Sequence, residues 1–181
     1  MTVIPTIETE RLVLRPLRES DTDAYAQMMA DPEVAYFLTV NQKPLSPEDS
    51  WRQVAMLLGH WELRGFGMWA VAEKQTPDAF LGRLGPYHPR GWPELEVGWA
   101  LARWAWGKGY ASEGAAAAVR YSFEVLDQPR VISLIDPANV RSAAVARRIG
   151  ELPTGTQWEY HGRMLDVYAV ERKEWQALNL E

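Results

Sequence analysis

Cysteine is absent from all 181 residues. That absence excludes disulfides, thiolate metal sites and any covalent cysteine intermediate, and it is compatible with a cytoplasmic chain. Long apolar runs are absent too. The alanine-rich stretch around Ala115 to Val119 is flanked by Glu113 and Arg120 and falls far short of the roughly 20 residues that cross a bilayer. Met1 to Arg15 alternates charge with aliphatics instead of following the basic-then-apolar plan of an export signal. We therefore expect no membrane contact. Basic charge is in short supply, with 19 Lys and Arg against 24 Asp and Glu and a formal net charge of -5. A face that grips nucleic acid needs the opposite balance, so no nucleic acid partner is expected, and a cationic ligand suits the chain better. His60, His88 and His161 have no ligand-like spacing, so no metal is expected. No internal repeat or low-complexity linker interrupts the chain.

What is present is the make-up of a folded mixed α/β domain, 47% apolar and 24% charged, whose length fits a single domain over 1–181. Arg11 to Arg15 alternates as a first strand. Ser20-Asp21 opens a helix that carries Tyr25 and Met28-Met29 and stops at Asp31-Pro32. A second helix runs from the Ser46-Pro47 cap to Arg64, before Gly65. Phe66 to Glu73 and Ala79 to Tyr87 form a hairpin about Gln75-Thr76-Pro77-Asp78. The fourth strand is 95–101, where Leu95, Val97, Trp99 and Leu101 alternate with Glu96, Gly98 and Ala100. Ser112 is expected to cap the next helix, whose alanines would let it lie close to the sheet. A strand over Arg130 to Ile135, a helix over Val140 to Ile149, and strands over Thr156 to His161 and Met164 to Val170 complete the order.

Between the fourth strand and its following helix stands Trp106-Gly107-Lys108-Gly109-Tyr110-Ala111. A glycine-rich turn there aims backbone N–H groups and a helix dipole at one point, which holds a pyrophosphate with little charge. A dinucleotide fingerprint would need glycine or alanine where Ser112 stands, and no G-x-x-x-x-G-K-[ST] occurs anywhere.

The turn resembles the pyrophosphate loop of the GNAT acyltransferase superfamily, Q/R-x-x-G-x-G/A, matching at Gly109 and Ala111 and departing at Trp106. Glu96-Val97-Gly98-Trp99 upstream, Ser112-Glu113-Gly114 downstream, Thr9 to Arg15 at the start, and Asn139-Val140-Arg141-Ser142 followed by Gly150 are similar to the RimJ/RimL branch of N-acetyltransferases. The resemblance spans roughly residues 7 to 170. Glu151 departs from it, standing where the branch usually has an aromatic residue.

The resemblance implies a mostly antiparallel sheet, flanked by helices and splayed between its fourth and fifth strands. It also implies acetyl-CoA as acyl donor, held by Trp99, Leu101, Trp106, Gly107, Lys108, Gly109, Tyr110, Ala111 and Asn139. Glu96 is the candidate general base, with Glu94 on the same face as the alternative. Ser142 is the candidate proton donor to the departing thiolate. Asn139 also suits a helix cap. Arg147 and Arg148 are further candidates for the phosphates, His88 for the border of the acceptor site, and one or two of Trp51, Trp61, Trp69, Trp92, Trp99, Trp104 and Trp106 for an aromatic wall. The implied activity is transfer to a primary amine of a peptide N-terminus or a small molecule, by a monomer or homodimer. A domain of this fold that binds acyl-CoA without turnover is the alternative, and fold alone does not choose the acceptor.

Overall fold

Strands with alternating apolar residues pair into one eight-stranded sheet in a computed structural model that describes residues 2–178. The strands are β1 (Ile7–Glu8), β2 (Leu12–Arg15), β3 (Trp69–Glu73), β4 (Gly82–Tyr87), β5 (Glu96–Leu101), β6 (Arg130–Ile135), β7 (Leu152–Tyr160) and β8 (Arg163–Glu171). Their order is β1-β2-β3-β4-β5-β6-β8-β7, and every neighbouring pair is antiparallel except β5 with β6. The expected fourth strand is β5, because the short β1 precedes the first one read from the sequence.

Among the described residues six α-helices cover the two faces: α1 (Thr22–Ala30), α2 (Pro32–Leu38), α3 (Pro47–Arg64), α4 (Tyr110–Glu124), α5 (Val140–Arg148) and α6 (Arg172–Leu178). Leu84, Val97 and Leu101 point one way, into a core with Ala115, Ala118 and Val119 of α4. Met68, Ala70 and Ala100 belong to a second core with Tyr25 and Met28 of α1 and Val54 and Leu57 of α3. The small residues of α4 do bring it onto the sheet. A Cβ added at Gly114 would fall 2.4 Å from Leu84 Cδ2.

Local capping explains where helices begin. Ser46 accepts from the Asp49 amide at 3.1 Å ahead of Pro47, and Gly65 closes α3 in the left-handed region at φ 76°. Asp31-Pro32 ends α1 as expected but also begins α2, with Asp31 Oδ1 accepting from the Glu33 amide at 2.9 Å. Proline disfavours the helical region for the residue before it while suiting the first helical position itself, so one dipeptide does both. The expected Ser112 cap is corrected: α4 begins at Tyr110, and Gly109 occupies its N-cap position. The final hairpin also starts earlier than expected, at Leu152.

One seam in the sheet is incomplete. The β5–β6 ladder has a single registered pair, Glu96 with Ile132, supported by the Ile132 amide donating to Leu95 O at 3.1 Å. Past that point side chains stand in for the ladder: Ser133 Oγ donates to Val97 O at 2.7 Å, and the Leu134 amide reaches Glu96 Oε1 at 3.5 Å.

Candidate active site

Successive residues of a strand turn their backbone polar groups to opposite edges. Leu95 O bonds toward β6, and the Ala102 amide bonds away from it, to Leu81 O at 2.8 Å. Val97, Trp99 and Leu101 therefore face the seam. Val97 O is taken by Ser133, and Leu101 O accepts from Trp106 Nε1 at 2.8 Å. The Trp99 amide and carbonyl and the Leu101 amide remain turned toward the opening.

The glycine turn follows β5, with Trp106 tied back to the strand's last residue. Gly107 and Gly109 sit at φ 76° and 80°, the left-handed region that glycine enters without penalty. The first-turn amides of α4 have no intrahelical acceptors. The Tyr110 side chain turns inward to bond Glu73, so this residue offers its backbone to the turn. Lys108 Nζ lies 5.7 Å from the Tyr110 ring centroid and Arg11 Cζ 4.9 Å.

Arg11 is a further basic residue at this turn, brought there from the start of β2 without any local signal for it. Its Nε donates to Glu113 Oε2 at 2.7 Å and its Nη1 to Lys108 O at 2.9 Å. The Trp106 indole lies under the Arg141 guanidinium, 4.6 Å from its Cζ. Arg147 is engaged elsewhere, over the Tyr168 ring at 5.6 Å.

A cavity of about 210 Å³ opens beside the seam, and Glu96, Trp99, Asn139 and Ser142 all line it. Glu94 does not. It lies ahead of β5, with its carboxylate 3.7 Å from Arg130 Nη1. Glu96 Oε2 accepts from Trp92 Nε1 at 2.7 Å. Burial pushes the Glu96 pKa up to about 7, against the opposing pull of Trp92, the Leu134 amide and the Arg83 charge. A carboxyl poised there exchanges protons near neutral pH.

Asn139 caps α5 by accepting from the Ser142 amide at 3.1 Å. The Ser142 hydroxyl carries no hydrogen bond among the described residues.

Glu151 is fully buried. Ser133 is its polar neighbour, but that hydroxyl proton goes to Val97 O, and neither Glu151 oxygen has a hydrogen-bond partner among the described residues. Burial holds its pKa well above the usual carboxylate range, and the Glu96 charge adds to the rise.

Of the tryptophans, Trp92 and Trp99 reach the cavity. Trp61 and Trp69 are core, and Trp51 and Trp104 are exposed. Trp92 packs against Tyr87, Trp158 and Tyr160 with ring centroids 5.7, 5.0 and 5.1 Å away. His88 does not line the cavity, and its backbone amide donates to His60 Nε2 at 3.1 Å. His60 Nδ1 lies 2.8 Å from Phe66 O, so the neutral tautomer with hydrogen on Nδ1 satisfies both contacts, and burial lowers the His60 pKa. No group of side chains suited to a metal ion occurs among the described residues.

Residues 11–151 match the model of the acetyltransferase (GNAT) domain. The chain is 29% identical over 168 residues to an uncharacterized N-acetyltransferase, p20, of Bacillus licheniformis, covering 90% of this chain and 93% of that relative. An acetyltransferase structure from Agrobacterium tumefaciens is 35% identical with a TM-score of 0.82, over 94% of this chain and 96% of that one. A RimL ribosomal-protein alpha-N-acetyltransferase in complex with coenzyme A shares the fold at 24% identity and a TM-score of 0.74, over 92% of this chain and 98% of that one.

Proposed function

The chain belongs to the GNAT acetyltransferase family, and we propose that it moves the acetyl group of acetyl-CoA directly onto a primary amine. The observation that carries the proposal is one convergence. Glu96, Asn139 and Ser142 line a single cavity at the seam where β5 and β6 part, and β5 leads on through the glycine turn to the N-terminus of α4.

The chain's own residues fit an acyl-CoA. Trp99 and Leu101 would pair with the amides of its pantetheine arm as a neighbouring strand would. Gly107 to Ala111 would receive the pyrophosphate on backbone N–H groups, with Lys108 and Trp106 alongside and Asn139 at the far side of the arm. The bound donor supplies an activated thioester carbonyl. Glu96 takes the proton of the acceptor ammonium, which makes the nitrogen a nucleophile. A backbone amide of β5 polarises the thioester oxygen. As the N–C bond forms and the C–S bond breaks, the Ser142 hydroxyl delivers a proton to the departing sulfur and is restored by the second proton that the nitrogen loses on becoming an amide, while Glu96 passes the first to water. Transfer is direct, through a complex that holds both substrates, which is consistent with a chain without cysteine. The protein acts in the cytoplasm in this reading.

Thiol release from acetyl-CoA, followed with a panel of peptides and small amines, tests the proposal. Release with a matching acetylated product and intersecting initial-rate lines is expected. Tight acetyl-CoA binding with no release for any amine would leave a binding module instead.

A further inference from the structure

The cavity lining carries two guanidinium groups, Arg83 and Arg163, and two carboxyl groups, Glu96 and Asp136, so it lacks the acidic excess of the whole chain. The Arg163 Nη2 atom pairs with Asp136 Oδ2 at 2.7 Å, so those two cavity-lining charges cancel. Arg83 has no such partner. Its Nε donates to the Tyr25 hydroxyl at 3.1 Å and its Nη1 lies 2.7 Å from Met68 Sδ, and no carboxylate is within ion-pair distance among the described residues. A guanidinium is always charged, and this one, half-buried in the cavity wall, has no counter-ion beside it to neutralise that charge. The group is held in place even so. The Tyr25 hydroxyl donates onward to Gln53 Oε1 at 2.9 Å, which leaves its oxygen free to accept from Arg83.

The sheet places Arg83 and Glu96 on one face. Tyr87 stands opposite Glu96, Gly85 opposite Gly98, and Arg83 opposite Ala100. Between the two charged residues the strands carry only glycine on this face, which makes room for Met68 to lie over them. A Cβ at Gly98 would lie 2.8 Å from Met68 Cε and 3.6 Å from Glu96 Oε1, and Met68 Sδ meets Arg83 Nη1, so the flexible Met68 thioether borders the space between the two charged groups, both of which line the cavity.

This inference rests on the acetyl-transfer reading and names the class of its acceptor. We propose that the acceptor is a small amino carboxylate, with its amine at Glu96 and its carboxylate on Arg83. The planar guanidinium matches a carboxylate with two parallel N–H···O bonds. An ammonium at Glu96 and a carboxylate at Arg83 would leave the cavity without unmatched charge. A polycationic amine would set like charge against Arg83. The net charge of -5, which taken alone favours a cationic ligand, is not mirrored in this cavity, whose lining carries as many guanidinium as carboxyl groups.

The test compares thiol release with standard amino acids, their carboxamides, the corresponding decarboxylated amines, and peptides with acidic first residues. Wild type, Arg83→Lys and Arg83→Gln are run side by side. For its best substrate the wild type is expected to favour the acid over the amide by about tenfold or more in kcat/KM. The ratio should collapse toward one in Arg83→Gln and partly recover in Arg83→Lys. Amides or decarboxylated amines turned over as fast as the acids in wild type would overturn the inference and leave acetyl transfer standing. So would turnover confined to peptides. An acid preference undiminished in Arg83→Gln would overturn the assignment to Arg83. Absence of release with every amine would overturn both readings.

Discussion

Trp92 Nε1 donates a 2.7 Å hydrogen bond to Glu96 Oε2, joining the loop ahead of β5 to the carboxyl that faces the cavity. Burial drives the pKa of that carboxyl up to about 7, and this bond is the foremost influence holding it down. Trp92→Phe keeps an aromatic ring among Tyr87, Trp158 and Tyr160 but removes the donor. The ionised form of Glu96 then loses support, so the acid limb of kcat/KM against pH is expected to move upward. An unmoved limb would separate Trp92 from the titration.

Gly109→Val is expected to abolish the rise in melting temperature that acetyl-CoA produces. A ligand that binds only the folded state stabilises it by mass action. Gly109 holds φ 80°, and an added Cβ would come 3.3 Å from Arg11 Nη2. A β-branched residue there strains the turn and obstructs its backbone. Thermal melts with and without acetyl-CoA check this, and an undiminished shift would move the phosphate site elsewhere.

Ser142→Ala should lower kcat and leave the acetyl-CoA dissociation constant within about threefold, because the lost contact matters mainly in the transition state. Calorimetry and turnover on one preparation separate the two effects. Equal turnover, with chemistry rate-limiting, would reduce Ser142 to a residue of the first turn of α5.

Glu151 gives a pH-dependent stability prediction. Its folded pKa lies well above the unfolded value, so the folded protein favours the neutral acid. Stability from this group is complete below the unfolded pKa and declines as pH rises toward the folded one. Glu151→Gln removes that decline. The variant should gain on wild type as pH rises above about 4.3, by up to about 1.4 kcal/mol per pH unit until the folded pKa is reached. Denaturant melts across pH check it. A constant difference would mean that Glu151 does not titrate with folding.

Much of the frame was legible because it is written in local chemistry. Ser46-Pro47 and Gly65 bound α3, and period-two alternation put Glu96 on the face opposite Leu95 and Val97. Ser112 misled because serine is a good cap, whereas a left-handed glycine three residues earlier had already turned the chain into α4. Other features depend on contacts far apart in sequence. Arg11 meets Glu113 across 102 positions and Arg83 meets Tyr25 across 58, and no local pattern announces either. Glu151 stood out in the sequence as a departure from the resembled pattern, but its burial beside the β5–β6 seam emerged only in three dimensions.

The most direct test of the account is the pH dependence of kcat/KM for wild type and Glu96→Gln with one acceptor. Wild type should gain activity as pH rises through about 7, where the Glu96 carboxyl loses its proton and becomes able to take one from the amine. Glu96→Gln should lose roughly 10²–10⁴-fold near neutral pH, lack that limb, and approach wild type only at high pH, where the amine is already neutral. Glu94→Gln, altered outside the cavity, serves as the matched control. A Glu96→Gln profile that overlays wild type from acid to alkaline pH would contradict the assignment of Glu96 as the base.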